Sequence, residues 1–140
     1  MRPFSYVRAG DAGTAIALVR ARPDSAFLAG GTTEVDLVRQ DVLRPGLLVD
    51  INDLPLDLIE DLPDGGLRIG ALARMSDVAR APGVMERFPV ISQALVLGAS
   101  AQLRNMASMA ATCASGSGAA TSGTRPRRAT SATRAPAVPR

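Results

Sequence analysis

A chain of 140 residues is long enough for one modest domain. It has neither His nor Lys and a single cysteine, Cys113, which excludes imidazole acid–base chemistry, His metal ligation, Schiff-base lysine chemistry and any intrachain disulfide. The net charge of +3 averages two unlike parts: residues 110–140 carry five Arg and no acid, leaving eleven basic against all thirteen acidic residues in 1–109, so the whole-chain balance is no sign of a nucleic-acid surface.

In chain order, Phe4 to Val7 reads as a strand. Asp11 can cap a helix from Ala12 to Arg22, with Ala15, Ile16 and Val19 on one face and Pro23 past its end. Ala26 to Ala29 is a short buried strand that stops at Gly30-Gly31-Thr32-Thr33, and Val35, Leu37 and Val38 then predict a short helix up to the Arg44-Pro45-Gly46 turn. Leu47 to Ile51 is a strong strand. Pro63-Asp64-Gly65-Gly66 makes a hairpin turn into "LRIGAL". Helices follow at Asp77 to Ala81 and Pro89 to Gly98. From Ala110 the chain is almost wholly Ala, Ser, Thr, Gly, Pro and Arg, too poor in apolar area to offset the entropy of ordering, and is expected to be disordered. The order of elements makes the class α/β (α+β). No apolar run has membrane-spanning length and no signal-peptide core opens the chain; a soluble, cytoplasmic protein is the expectation.

Three stretches are candidates for chemistry. Ala29-Gly30-Gly31-Thr32-Thr33 joins a strand to a helix. Glycines there allow either a tight turn or a ligand close to the backbone, where a helix N-terminus and the two Thr hydroxyls would favour a phosphate. The pattern alone leaves both open, since it is neither a P-loop nor G-x-G-x-x-G. Asp50-Ile51-Asn52-Asp53 suggests strand-end capping. Ser100-Ala101-Gln102-Leu103-Arg104-Asn105 follows the Gly98 break; a solvated loop is the simpler account, a pocket lining the other. Cys113 lacks thiolate-stabilising neighbours in sequence and reads as an inert thiol.

Taken together, "FLAGGTTEVDLVRQDVLRPGLLVDINDLPLDLIE", "GLRIGALARMSDVA" and "GASAQLRNMASM" resemble the FAD-binding medium chain of the molybdenum hydroxylases, the xanthine dehydrogenase, carbon monoxide dehydrogenase and aldehyde oxidoreductase group. The likeness runs in order from Met1 to Met109. It implies the N-terminal part of a p-cresol methylhydroxylase-type FAD-binding domain over 1–109, with residues 110–140 as a disordered tail. It implies FAD as cofactor, with Phe27, Leu28, Ala29, Gly30, Gly31, Thr32, Thr33 and Glu34 as the first FAD segment, Ala71 near the cofactor, and Ser100, Arg104, Asn105 and Ser108 in the second. It also implies a molybdopterin-binding large subunit and a [2Fe-2S] small subunit as partners, electrons passing from the clusters to FAD and on to an acceptor, and no catalytic acid or base in this chain. Some enzymes of this type are periplasmic.

The family continues past this point with Gly-Gly-Asn and, in the aldehyde-oxidoreductase branch, a cysteine loop for a [4Fe-4S] cluster; this chain has Ala110-Ala111-Thr112 instead. Read one base earlier after Met109, the codons permit GGNLRQR, then RCGYFRD and CNKRDPGSGCAA, which resembles that loop. Residues 110–140 are therefore expected to be a frameshift product, and the nucleotide sequence through codon 109 decides it: an early stop in the shifted frame ends the idea. The expected consequence is weak or absent FAD binding by the isolated chain. Two other classes stay open: a non-catalytic fragment docking on the partner subunits, and a salt-sensitive binder of nucleic acid or acidic surfaces using the Arg-rich tail, the latter disfavoured by the acidic body.

Overall fold

The computed structural model describes residues 2–115, and its organising element is the strand Leu47–Asp50, buried at all four positions. An uninterrupted Leu-Leu-Val run suits a strand covered on both faces, as the central strand of a parallel sheet is. Around it stand β1 (Ser5–Arg8) and β2 (Ser25–Leu28); with Leu47–Asp50 as β3 the spatial order is β1-β3-β2, all parallel. Parallel neighbours need crossovers. Helix α1 (Ala12–Ala21) carries β1 to β2, and α2 (Glu34–Arg39) carries β2 to β3. The Asp11 cap forms as expected: its carboxylate accepts from the Thr14 N–H at 2.8 Å and from the Thr14 hydroxyl at 2.7 Å. The Thr14 hydroxyl first, then its N–H, hold the Asp11 carboxyl below its ordinary pKa. Ala9, Ala15, Leu47 and Val49 form a buried cluster, with Val7, Leu18, Val19 and Ile51 packed on it.

A second core follows. Strands β4 (Ile59–Asp61) and β5 (Leu67–Ile69) pair antiparallel, across the turn the sequence marks; there the Asp64 carboxylate accepts from the Gly66 N–H at 2.9 Å. Five short helices complete the described chain: α3 (Met75–Arg80), α4 (Pro82–Arg87), α5 (Pro89–Leu97), α6 (Ala101–Met106) and α7 (Met109–Ser115). Ala73, Met75, Val78, Ala79, Val84 and Leu95 form their core, and Ile59, Leu67 and Ile69 of the hairpin pack against it. Val78 and Val84 are fully buried; each contributes about 1.5–3 kcal/mol. Arg87 of α4 donates to the Gly65 carbonyl at 2.8 Å and pairs with Asp61, tying hairpin to helices.

Local expectations change in two places, and one helix was missed. Ser100–Asn105 is not a solvated loop but the start of α6, capped by the Ser100 hydroxyl, which accepts from the Leu103 N–H at 3.3 Å. Ala99 turns the chain into it with φ +54°, a conformation alanine rarely adopts. Helix α4, which sequence did not separate from its neighbours, starts at Pro82, in the first turn, where a missing N–H costs nothing. Finally, α7 takes in 110–115 of the segment expected to be disordered: the Ala110 N–H donates to the Ala71 carbonyl at 3.0 Å, and Met109 packs on the second core. Alanine, the strongest helix former, carries that helix once its first residue is anchored. The rest of the expected tail, 116–140, lies outside the described residues.

Candidate functional site

The carboxyl ends of the three parallel strands share one edge, where open α/β sheets form ligand crevices. There β2 leaves through Ala29 into Gly30-Gly31-Thr32-Thr33. The two glycines answer different needs. Gly31 has φ +72°, the left-handed region that glycine enters without penalty. Gly30 is where another stretch of backbone arrives: a Cβ on it would lie 1.8 Å from the Met106 carbonyl oxygen and 3.0 Å from Arg74 Nη1. One glycine makes the turn; the other admits the chain segment that closes the site.

Between them opens a cleft of about 120 Å³, lined by Phe27, Ala29, Gly30, Gly31, Thr32, Thr33, Glu34 and Leu37 and, from the far segment, by Ser108 and Ala111. Ser108 is 1% exposed, and its hydroxyl has no hydrogen-bond partner among the described residues. Such a group costs about 1–3 kcal/mol unless something bonds to it, and this one lies beside the cleft. Nor, among the described residues, does anything accept from the main-chain N–H groups of Gly30, Gly31, Thr32 or Thr33. Helix α2 is only six residues long and Thr33 makes no capping bond. What the cleft offers an anion is therefore its loop N–H groups and hydroxyls rather than the helix dipole expected from sequence. Half-buried Glu34 lines the same cleft, and burial pushes its carboxyl above its ordinary pKa.

Of the residues singled out from sequence, the fold brings Phe27, Ala29 to Glu34 and Ser108 together. Leu28 stands behind the turn, its Cδ1 3.4 Å from the Cβ position of Gly31. Ala71 is joined to the far segment by its bond from Ala110. Ser100, Arg104 and Asn105 are elsewhere. Ser100 caps α6, and Arg104 Nη1 donates to the carbonyls of Val96, Gly98 and Ala99 at 2.9, 3.2 and 2.7 Å, closing the end of α5. Arg104 and Asn105 line a separate cleft with Ser76 and Arg80.

Sequence reasoning missed what holds the cleft together. Asp50, only 5% exposed, accepts from the Tyr6 hydroxyl, from the Asn52 N–H at 2.9 Å and from Asn52 Nδ2 at 2.7 Å. Arg8 Nε lies 3.6 Å from the same carboxylate and Arg8 Nη1 3.0 Å from Asp53. Burial pushes the Asp50 carboxyl up, but the Tyr6 and Asn52 bonds and the Arg8 charge outweigh it and leave the pKa below its ordinary value. Asn52 Nδ2 also donates to the Ala29 carbonyl at 2.9 Å. So the polar cluster after β3 is more than a strand-end cap; its position at the carboxyl end of the central strand was the available signal. Among the described residues, no group of three or more His, Cys, Asp or Glu side chains could hold a metal ion, and no helix is long and apolar enough to cross a membrane. Cys113 is exposed.

Comparison with known proteins identifies a family. Residues 2–122 match the family described as "FAD binding domain in molybdopterin dehydrogenase". The aldehyde oxidoreductase FAD-binding subunit PaoB of Escherichia coli (strain K12) is 43% identical over 110 residues, 79% of this chain and 35% of that protein. The glyceraldehyde dehydrogenase medium chain of Sulfolobus acidocaldarius is 32% identical over 104 residues, 74% of this chain and 37% of that one. Among solved structures, carbon monoxide dehydrogenase from Hydrogenophaga pseudoflava superimposes with a TM-score of 0.75 at 31% identity, covering 81% of this chain and 41% of that chain. The chain thus spans little more than a third of the length of the curated relatives it matches. By the extent of the family match and the shared fold, this chain belongs to the FAD-binding domains of molybdopterin dehydrogenases.

Proposed function

We propose that the cleft between the glycine turn and Ser108 is the diphosphate cradle of a flavin site, and that the chain is the N-terminal part of the FAD-binding subunit of a molybdenum-containing dehydrogenase of the aldehyde or xanthine type. The observation that carries this is the buried, unpartnered Ser108 hydroxyl facing a turn whose N–H groups are also unclaimed. FAD, when bound, supplies the redox chemistry that passes electrons from iron–sulfur clusters to an acceptor. The protein's task is to bind and orient. Gly30 to Thr33 would offer N–H groups and hydroxyls to the diphosphate, Ser108 would close it from the opposite wall, and Phe27 and Leu37 would supply apolar walls. The partners proposed are a molybdopterin-binding large subunit and a [2Fe-2S] small subunit. Leu97 and Val90 of α5, 86% and 71% exposed, favour docking of this kind, since large exposed apolar side chains grouped on one element mark contact surfaces. Residues 110–140 remain proposed as a frameshift product.

Because the chain spans 35% of PaoB, binding by it alone is expected to be weak, with a Kd of about 10⁻⁴ M or higher. Amide spectra of the ¹⁵N-labelled chain titrated with FAD, and with ADP as the diphosphate-bearing half, should show saturable shifts at Gly30 to Glu34 and at Ser108. Ser108→Ala should weaken binding about five- to tenfold. Shifts confined to other residues, or none at millimolar ligand, would remove the proposal. The same titration tests Glu34. The FAD diphosphate keeps its two charges across mild acid, so lowering the pH through the raised Glu34 pKa protonates a like-charged neighbour and should tighten binding. Glu34→Gln should show the parent's low-pH affinity throughout and flatten the profile; a profile that keeps its slope in this variant assigns the titration to another group.

A further inference from the structure

We infer that Asn52 and Arg74 are positioning residues that work as one clamp, holding the glycine turn against the segment that carries Ser108. This deepens the reading of that cleft as the ligand site and rests on it. The cleft's two walls come from different cores: the turn follows β2 of the first, and Ser108 lies between α6 and α7 of the second. Neither core by itself sets the distance between them. Arg74 touches both. Its main chain forms an isolated antiparallel bridge with Ser108, flanked by bonds from the Met75 N–H to the Ala107 carbonyl and from the Met109 N–H to the Ala73 carbonyl, each 3.0 Å. Its side chain then reaches across. Nη1 donates to the Met106 carbonyl at 2.5 Å, the same oxygen that packs on Gly30, and Nη2 donates to Asn52 Oδ1 at 3.0 Å. Asn52 completes the span by donating to the Ala29 carbonyl, while Asp50 fixes the orientation of its amide.

The chemistry of the two side chains suits this task. Among the described residues Arg74 makes no ion pair, so its donors go to neutral oxygens on either side of the seam. The planar fork presents two N–H groups at a fixed angle, which lysine cannot do, and a charged donor makes a stronger bond than a neutral one. Asn52 can be a relay because an amide both accepts and donates: it takes a bond from Arg74 and gives bonds to Ala29 and Asp50. Removing either member should free both walls together.

The test uses the full chain labelled with ¹⁵N, in the variants Asn52→Leu, Arg74→Gln and the double variant. A clamp predicts that each single substitution shifts the amides of Gly30 to Thr33 and those of Ala107 and Ser108 together, with Val78, Val84 and Leu95 unmoved. It further predicts that the double variant adds almost nothing, because one broken link opens the whole span. ADP affinity should fall about tenfold in each single variant and no further in the double. Arg74→Lys should recover only part of the effect. It also serves as the milder variant if Arg74→Gln does not fold, since it must still move both walls. Effects confined to the mutated wall, additive effects in the double variant, or full recovery by lysine would overturn the clamp. If the parent chain binds no ADP, the ligand reading fails while the spectra of the unliganded variants still decide the clamp.

Discussion

Gly30→Ala is expected to destabilise the fold by about 3 kcal/mol, measured as a lower urea midpoint at unchanged m-value. The reason is geometric. A Cβ at this position would lie 1.8 Å from the Met106 carbonyl oxygen and 2.8 Å from its carbon. Both are main-chain atoms, held in place by the Arg74 side chain and by the bonds flanking Ser108, so no rotamer change relieves the overlap. The two segments must separate, and the seam between the cores opens. Gly31→Ala provides the contrast. Its penalty comes from φ +72° and a 3.0 Å approach to the flexible Val35 side chain, which puts it nearer about 1–2 kcal/mol. If the two substitutions cost the same, or Gly30→Ala is neutral, then Gly30 is only part of a turn and the close approach of Met106 does not govern the site.

Asp50→Ala should cost about as much, roughly 3 kcal/mol. The carboxylate is nearly inaccessible and satisfies three donors, the Tyr6 hydroxyl and both nitrogens of Asn52. Its loss removes an acceptor from all three, leaving Asn52 Nδ2 only its bond to the Ala29 carbonyl, and leaves Arg8 with one carboxylate instead of two. Solution pH gives an independent check. Folding holds the Asp50 pKa below its ordinary carboxylate value, so its stabilisation is complete above that ordinary value and lost as the pH falls through the depressed one. The difference in unfolding free energy between the parent and Asp50→Ala should accordingly be constant near neutrality and shrink in acid. A difference independent of pH down to the acid transition would mean that the carboxylate contributes packing rather than charge.

Features set by neighbours in sequence were legible without the structure. The apolar run of β3, the Asp11 cap, the hairpin at Pro63 to Gly66 and the glycine turn after β2 each depend on a few adjacent residues, and each formed where expected. Contacts between distant residues were not legible. Nothing local to Gly30 announces Met106, and Arg74, a lone cation between alanine and methionine, looks like a surface charge until the fold places Asn52 beside it. Arg104 was equally illegible: its sequence neighbours do not announce that the guanidinium closes a helix end through three carbonyls. At α7 composition misled, because alanine-rich sequence forms helix readily once Met109 finds a core to anchor it.

The two buried clusters are built from stretches that do not overlap in sequence, 7–51 and 59–109. During synthesis the first can collapse before the second has left the ribosome. The cleft belongs to neither and comes into being only when the two meet. Its completion therefore requires both units in place, and a ligand lying across it would stabilise the union of the two units more than either unit alone.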